Sequence, residues 1–298
     1  MKLLSLSILL LIIIGTAASR AASQNEDVIS VDLSIVLVNA SVAGADGKAV
    51  RGLSRQMFHV YEDGVEQEIK TFESEEAPFA AVILLDTSGS MEERVTLARS
   101  AAIQFLDGIR STDNVAIYNF DSKVNLVQEF SNSRDMRDQI FDLKANGMTV
   151  LNDAIFKAAG DLAGRPERRR AIIVLSDGAD TMSKHSEDKA LKAALAAGAT
   201  IYSVDMAPQD TPMAMKAQAQ GALKNFAEKT GGRFVATPGG VALRDAFKQI
   251  VDELGVQYTL TYEPAVAKKD GRWHAIEVRV KKQGVTVRAR KGYNAPKK

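Results

Sequence analysis

Ala80-Ala81-Val82-Ile83-Leu84-Leu85-Asp86-Thr87-Ser88-Gly89-Ser90 runs from an unbroken apolar stretch into a carboxylate and two hydroxyls. Six apolar residues without alternation read as a strand covered on both faces, the habit of a parallel sheet. The strand ends on Asp86. In an extended or gently turning segment every second side chain points the same way, so Asp86, Ser88 and Ser90 can converge on one point. All three offer hard oxygen atoms, which suit Mg²⁺, Mn²⁺ or Ca²⁺ rather than Zn²⁺. Helical spacing begins at once, with Val95, Ala98, Ala102, Phe105, Leu106 and Ile109. The loop therefore precedes a helix N-terminus.

Two later segments supply more oxygen. Gly147-Met148-Thr149-Val150-Leu151-Asn152-Asp153-Ala154 offers Thr149, and Ile172-Ile173-Val174-Leu175-Ser176-Asp177-Gly178 is a second buried strand ending in a carboxylate. In a parallel sheet, the loops at the C-terminal strand ends share one face, and ligands bind where the strand order switches. That rule predicts Asp86 and Asp177 side by side. Here the chain resembles the von Willebrand factor A family, whose metal-ion-dependent adhesion site uses Asp-x-Ser-x-Ser, then Thr, then Asp. The resemblance implies metal ligands at Asp86, Ser88, Ser90, Thr149 and Asp177, with Mg²⁺, or Mn²⁺ or Ca²⁺, as the ion. It also implies hydroxyls bound directly to the ion and carboxylates acting partly through water. A cation held mainly by neutral oxygens keeps net positive charge, and octahedral geometry leaves one position for a partner's Asp or Glu. Gly89 and Gly147 are expected to permit tight turns beside the ion. Capping is the ordinary reading for any one of these residues, because Ser and Asp commonly precede helices.

Strand-like and helix-like runs alternate from Ala80 to Gly255, which predicts a mostly parallel sheet with helices on both faces. The strands are expected at Ala80–Asp86, Val115–Phe120, Val124–Phe130, Ala171–Asp177, Thr200–Met206 and Arg233–Ala236. Helices are expected near Glu92–Ile109, Ser133–Lys144, Asn152–Ala163, Ser186–Ala197, Met213–Thr230 and Val241–Leu254. Both flanks read as strands instead. Val31–Val38 and Phe58–Tyr61 precede the core, with an Asp63-Gly64 hairpin returning through Glu66–Phe72. Gln257–Tyr262, Trp273–Lys281 and Val285–Arg290 follow it. Neither flank has enough strands for a stable core by itself. Together they approach the seven of an Ig-like sandwich. The expected organisation is an α/β, Rossmann-like A domain at 78–255, inserted into an all-β Ig-like sandwich formed by 28–75 and 256–294. Tyr61-Glu62-Asp63-Gly64 and Arg290-Lys291-Gly292-Tyr293 extend the resemblance to the secreted bacterial, acidobacterial-type family called VWFA-related.

Lys2, the apolar run Leu3 to Ile14 and Gly15-Thr16-Ala17-Ala18-Ser19 read as a signal peptide within 1–22. This predicts export to the periplasm or the cell exterior, with no membrane span in the mature chain. There is no cysteine, so disulfide and thiolate chemistry are absent. Net charge is +1, which favours neither nucleic acid nor an anionic membrane. Arg165, Arg168, Arg169 and Arg170 read as a solvated loop before a strand.

Catalytic readings do poorly. The three histidines, His59, His185 and His274, form no zinc pair, and no Gly-x-Ser-x-Gly elbow surrounds a serine. A metal-dependent phosphohydrolase would need more carboxylates and a general base. The expected function is non-enzymatic, metal-dependent binding or adhesion to a protein that presents Asp or Glu. A metal-independent assembly scaffold is the alternative, and a hydrolase the less favoured one. Asp153 reads as a cap or a first-turn charge, and Asp121 and Asp180 as surface residues. Glu92 and Glu93 sit where acids favour the helix dipole. Trp273 reads as core, and Met206, Met213 and Met215 as packing or an adaptable contact patch.

Overall fold

The computed structural model describes residues 35–74, 77–135, 138–207, 211, 213–236, 240–264, 270–295 and 297. The expected signal peptide and the start of the strand at Val31 lie outside these residues. Four strands come first: β1 (Val36–Gly44), β2 (Phe58–Glu62), β3 (Val65–Gln67) and β4 (Ile69–Glu73). An α/β series follows: β5 (Phe79–Asp86), α1 (Val95–Gly108), β6 (Asn114–Phe120), β7 (Val124–Ser131), α2 (Leu151–Ala163) and β8 (Arg169–Ser176), then α3 (Glu187–Ala196), β9 (Ala199–Asp205), α4 (Met213–Thr230), β10 (Phe234–Ala236) and α5 (Gly240–Gly255). Four strands end it: β11 (Tyr258–Tyr262), β12 (Trp273–Val280), β13 (Val285–Ala289) and β14 (Gly292–Asn294).

The central sheet has the order β10-β9-β8-β5-β6-β7 and is parallel except for β7. All eight residues of β5 are buried, and the two faces of the strand serve different cores. Phe79, Ala81, Ile83 and Leu85 pack with α1 and α5. Ala80, Val82 and Leu84 pack with α2 and α3. A strand enclosed on both sides has no polar face to show, which explains the unbroken apolar run. The chain leaves β5 for β6 on one side and later returns to β8 on the other. The switch in strand order therefore falls between β5 and β8, and it brings Asp86 and Asp177 to one end of neighbouring strands.

The flanking strands form two four-stranded antiparallel sheets, β13-β1-β11-β4 and β14-β12-β2-β3. Each mixes strands from before and after the α/β series. One apolar cluster, including Val38, Val60, Tyr258, Leu260 and Ile276, joins them. The hairpin at Asp63-Gly64 has positive φ at both residues, 49° and 82°, as a type I′ turn requires. The return is not one strand but two. Chain pairing breaks at Glu68, so β3 stays with β2 while β4 crosses to β11.

Arg169 overturns the reading of its arginine run as a solvated loop. It is fully buried at the start of β8. Its guanidinium donates to the carbonyls of Ser74 and Gly255 and to Thr259 Oγ1. One side chain thus ties together the chain entering the α/β series and the chain leaving it. Arg168 pairs with Glu73 at 2.8 Å beside it. Nearby, Tyr202, Glu253, Gln257 and Arg288 form a second buried polar cluster, with Tyr202 Oη donating to Glu253 at 2.9 Å. Burial, and then the Glu253 charge, push the Tyr202 phenol well above its ordinary range.

Two further expectations fail. Ser133–Lys144 forms no α-helix; its described part holds only a 3₁₀ turn at Asp138–Asp142. The Ser131 and Ser133 hydroxyls accept from the amides of Ser133 and Asp135. Such local bonds compete with helix formation. Trp273 is 39% exposed rather than core. On β12 the buried set is His274 and Ile276, and Trp273 stands one residue out of phase with it. Its ring lies over Gly292, where a β-carbon would come within 2.5 Å of it.

Arg290-Lys291-Gly292-Tyr293 acts as a closing strap. Arg290 donates to the Leu195 carbonyl at the end of α3, and Tyr293 Oη donates to Glu62.

Candidate metal centre

At the C-terminal end of β5, Asp86 is fully buried. Its Oδ1 accepts the Ser88 amide at 2.9 Å, and its Oδ2 accepts the Ser176 hydroxyl at 2.5 Å. Burial pushes the carboxyl up to about 6. The Ser176 and Ser88 bonds pull it back, and the nearby Asp177 charge raises it again. Among the described residues Asp86 forms no salt bridge. Ser88 Oγ and Ser90 Oγ lie 3.1 Å apart; a 3₁₀ turn over Gly89–Met91, entered from Ser88, brings the two hydroxyls together in place of the expected extended alternation. Ser88 is buried while Ser90 is exposed, so the hydroxyl pair reaches from the interior to the surface.

The loop after β5 is tied to the loop before α2. The Asn146 amide donates to the Thr87 carbonyl at 2.8 Å, and the Gly89 amide to the Gly147 carbonyl at 3.2 Å. Thr149, 3% exposed, follows two residues later. Gly147 has φ 76°, and a β-carbon there would meet Ser122 Oγ at 2.5 Å. Its conformation and its surroundings both demand glycine. Gly89 differs from expectation. Its φ is ordinary, and its nearest obstacle is the Gly147 carbonyl at 3.5 Å. Asp177 lies just past the end of β8, half-buried, with Oδ1 accepting the Ala179 amide at 3.0 Å.

Several positioning groups left no motif to find. Ser176 contacts Asp86 directly, and its alternation within β8 gave no hint of this. Asn119 donates to Thr87 Oγ1 at 3.0 Å, fixing the residue between Asp86 and Ser88. The 180–183 turn caps the start of α2 from outside. Thr181 Oγ1 accepts the Thr149 amide at 2.9 Å, Asp180 accepts that of Asn152 at 2.8 Å and Ser183 that of Asp153 at 3.1 Å. Asp180 is therefore a capping residue, supplied by a loop remote in sequence. Asp153 does not cap α2. It accepts the amides of Lys184 and His185 and contacts the His185 ring at 2.6 Å. Burial opposes its ionised form, but these bonds outweigh burial and hold the carboxyl below its ordinary value. Met206 is core, whereas Met148, Met182 and Met213 are exposed. The Met182 amide donates to the Thr149 carbonyl, which ties the 180–183 turn to the loop that carries Thr149.

The donor set of Asp86, Asp177 and three hydroxyls is all oxygen, and among the described residues neither carboxylate forms a salt bridge. It fits a hard divalent ion. A second acidic group, Glu62, Asp63 and His274, lies in the flanking sheets. Its members serve each other and their neighbours. Tyr262 Oη donates to Glu62 at 2.6 Å, and the His274 ring contacts Asp63 at 2.8 Å and Asp270 at 3.2 Å.

Comparison with known proteins bears on the same region. No curated protein sequence matches the chain. Solved structures with similar folds include an aerotolerance-related membrane protein from Bacteroides fragilis, at 16% identity and TM-score 0.46, covering 59% of this chain and 98% of that one. A von Willebrand factor type A protein from Catenulispora acidiphila gives 12% identity and TM-score 0.49, covering 90% and 75%. The vWF domain of the type V pili tip protein Mfa5 from Porphyromonas gingivalis gives 15% and 0.49, covering 59% and 94%. The family model described as von Willebrand factor type A domain matches residues 81–179, a span that contains Asp86, Ser88, Ser90, Thr149 and Asp177.

Proposed function

We propose that this chain binds a divalent cation, Mg²⁺ or its hard relatives, through Asp86, Ser88, Ser90, Thr149 and Asp177. The ion then captures an Asp or Glu carboxylate of a partner protein. The observation that carries this reading is the buried Asp86 carboxylate. It accepts the Ser88 amide and the Ser176 hydroxyl and lies near the Asp177 charge, and among the described residues it forms no salt bridge. Burying an uncompensated carboxylate is costly and calls for a counter-charge. A bound divalent ion supplies it, and the ion's remaining positive charge gives the partner carboxylate its attraction. The domain match supports a protein-interaction or adhesion role without catalysis. The rest of the proposal follows the organisation expected above. The A domain, 78–255, is inserted in an Ig-like sandwich formed by 28–75 and 256–294, and the protein acts after export, in the periplasm or outside the cell.

Among the described residues, no helix is long and apolar enough to cross a membrane.

The test is calorimetric titration of Mg²⁺ and Mn²⁺ into chelator-stripped protein, with Ser88→Ala and Asp177→Ala as controls. Saturable heat in the native chain, lost in both variants while their circular dichroism is unchanged, is the expected result. Equal binding by Asp177→Ala would overturn the assignment.

A further inference from the structure

A cleft of about 390 Å³ opens beside Asp177, between the turn that follows β8 and the start of α4. This is within the range of small-ligand pockets, roughly 300–1,000 Å³. Its lining is two-toned. Gly178, Ala179, Ala219 and Ala222 present only backbone and methyl groups. Gly178, at φ 85°, lies so close to α4 that a β-carbon would sit 2.5 Å from the Ala219 carbonyl. The inner wall is thus packed to contact. Around it stand Asp180, Glu187 and Lys216.

The charges in this lining do not cancel. Asp180 spends its oxygens on the amides of Asn152 and Ser183 and on the Ser183 hydroxyl. Glu187 accepts only the Asn225 side chain, at 2.6 Å. All of these donors are neutral. Among the described residues neither carboxylate is paired with a cation, and Lys216 is paired with no acid. With Asp177, which also lines the cleft, the four charged groups among the described residues leave two net negative charges over a methyl-lined floor. That combination suits a long aliphatic side chain with a cationic head. Its stem lies on the alanines and its head reaches the carboxylates.

We propose that this cleft is a second contact for the same partner, receiving a Lys or Arg that lies near the acid bound at the metal. The inference rests on the metal-bridged reading above and adds a sequence rule for the partner segment. An acidic residue and a basic one must sit at a fixed short spacing. A second acid in place of the base would meet Asp180 and Glu187 and be rejected.

A random peptide library displayed on phage tests this. Selection is on the purified protein in Mg²⁺, with release by chelator, and is repeated on Glu187→Gln, which keeps the acceptor for Asn225. The expected clones carry Asp or Glu with Lys or Arg at one preferred spacing. The Glu187→Gln selection retains the acid and loses most of the basic preference. A synthetic peptide of the selected sequence should bind Glu187→Gln about fivefold more weakly, and a matched peptide lacking the base should bind both proteins equally. Acidic clones without basic enrichment would overturn the cleft assignment and leave the metal reading standing. An undiminished basic preference on Glu187→Gln would also overturn the cleft assignment. Clones indifferent to chelator, or no enrichment, would overturn both readings.

Discussion

Replacing Asp86 with Asn should make the metal-free protein more stable while destroying its metal site. The pKa of its buried carboxyl is about 6 in the folded chain against an ordinary 3.8. The folded state therefore holds this proton more tightly than the unfolded chain does. By linkage, the contribution of Asp86 to stability is fully present below about pH 4, falls as pH rises toward 6, and is flat above. A shift of about two units at 1.36 kcal/mol each is a loss of about 3 kcal/mol. Asn carries no charge and escapes this cost. It keeps an acceptor for the Ser88 amide but disturbs the bond donated by Ser176, which costs about 1 kcal/mol. The balance is about 2 kcal/mol in favour of Asp86→Asn at pH 8 in chelator, or roughly 4–8 °C in melting temperature. At pH 4, where Asp86 is protonated, the advantage should vanish. With Mg²⁺ at about 100 times its dissociation constant the native chain regains about 2.7 kcal/mol, and the order reverses. Thermal melts of both proteins at pH 4 and pH 8, with chelator and with Mg²⁺, read out all four cases. An Asp86→Asn protein that melts lower than the native chain in chelator at pH 8 would refute the argument.

Other consequences are as concrete. Gly147→Ala forces a positive φ on a β-carbon that also meets Ser122. It should cost about 1–2 kcal/mol of stability and weaken Mg²⁺ binding in the same titration, whereas Gly89→Ala should change neither by much. Thr181→Val removes the acceptor for the Thr149 amide. Leaving that donor unpaired costs about 1–3 kcal/mol, which calorimetry should register as weaker Mg²⁺ binding with little change in secondary structure. Arg169→Met strips a buried donor from Ser74, Gly255 and Thr259 at once. Urea unfolding should shift by about 3–5 kcal/mol, and a shift below about 0.5 kcal/mol would show that the seam does not depend on this arginine.

Much of the fold was legible because burial on two faces writes itself into a strand. The run Ala80–Leu85 could be nothing but interior, and Leu243, Phe247, Ile250 and Leu254 marked α5 by spacing alone. Expectation failed where a neighbour's chemistry outranked the local pattern. Arg169 belongs to a charged run that ordinarily faces water, yet three oxygens from distant segments make its burial tolerable. Trp273 has the size of a core residue but the wrong phase on β12. The Ser133–Lys144 segment has helical residues, but serine hydroxyls accept the amides of Ser133 and Asp135 at its start. Glu62, Asp63 and His274 carry no spacing signal, since two antiparallel sheets bring them together.

By itself, the sequence determined most of the element types of the α/β series, the buried character of β5 and β8, and the order Asp86, Ser88, Ser90, Thr149, Asp177 along the chain. Those follow from local periodicity and residue chemistry, which act over a few positions. Only the tertiary structure decided that Ser176 holds the buried Asp86 carboxylate and that a 3₁₀ turn brings Ser88 and Ser90 together. It alone decided that the 180–183 turn caps the start of α2 and that a methyl-floored cleft opens beside the site. Apart from the 3₁₀ turn, these are contacts between segments dozens of residues apart, and packing, not local propensity, chooses them.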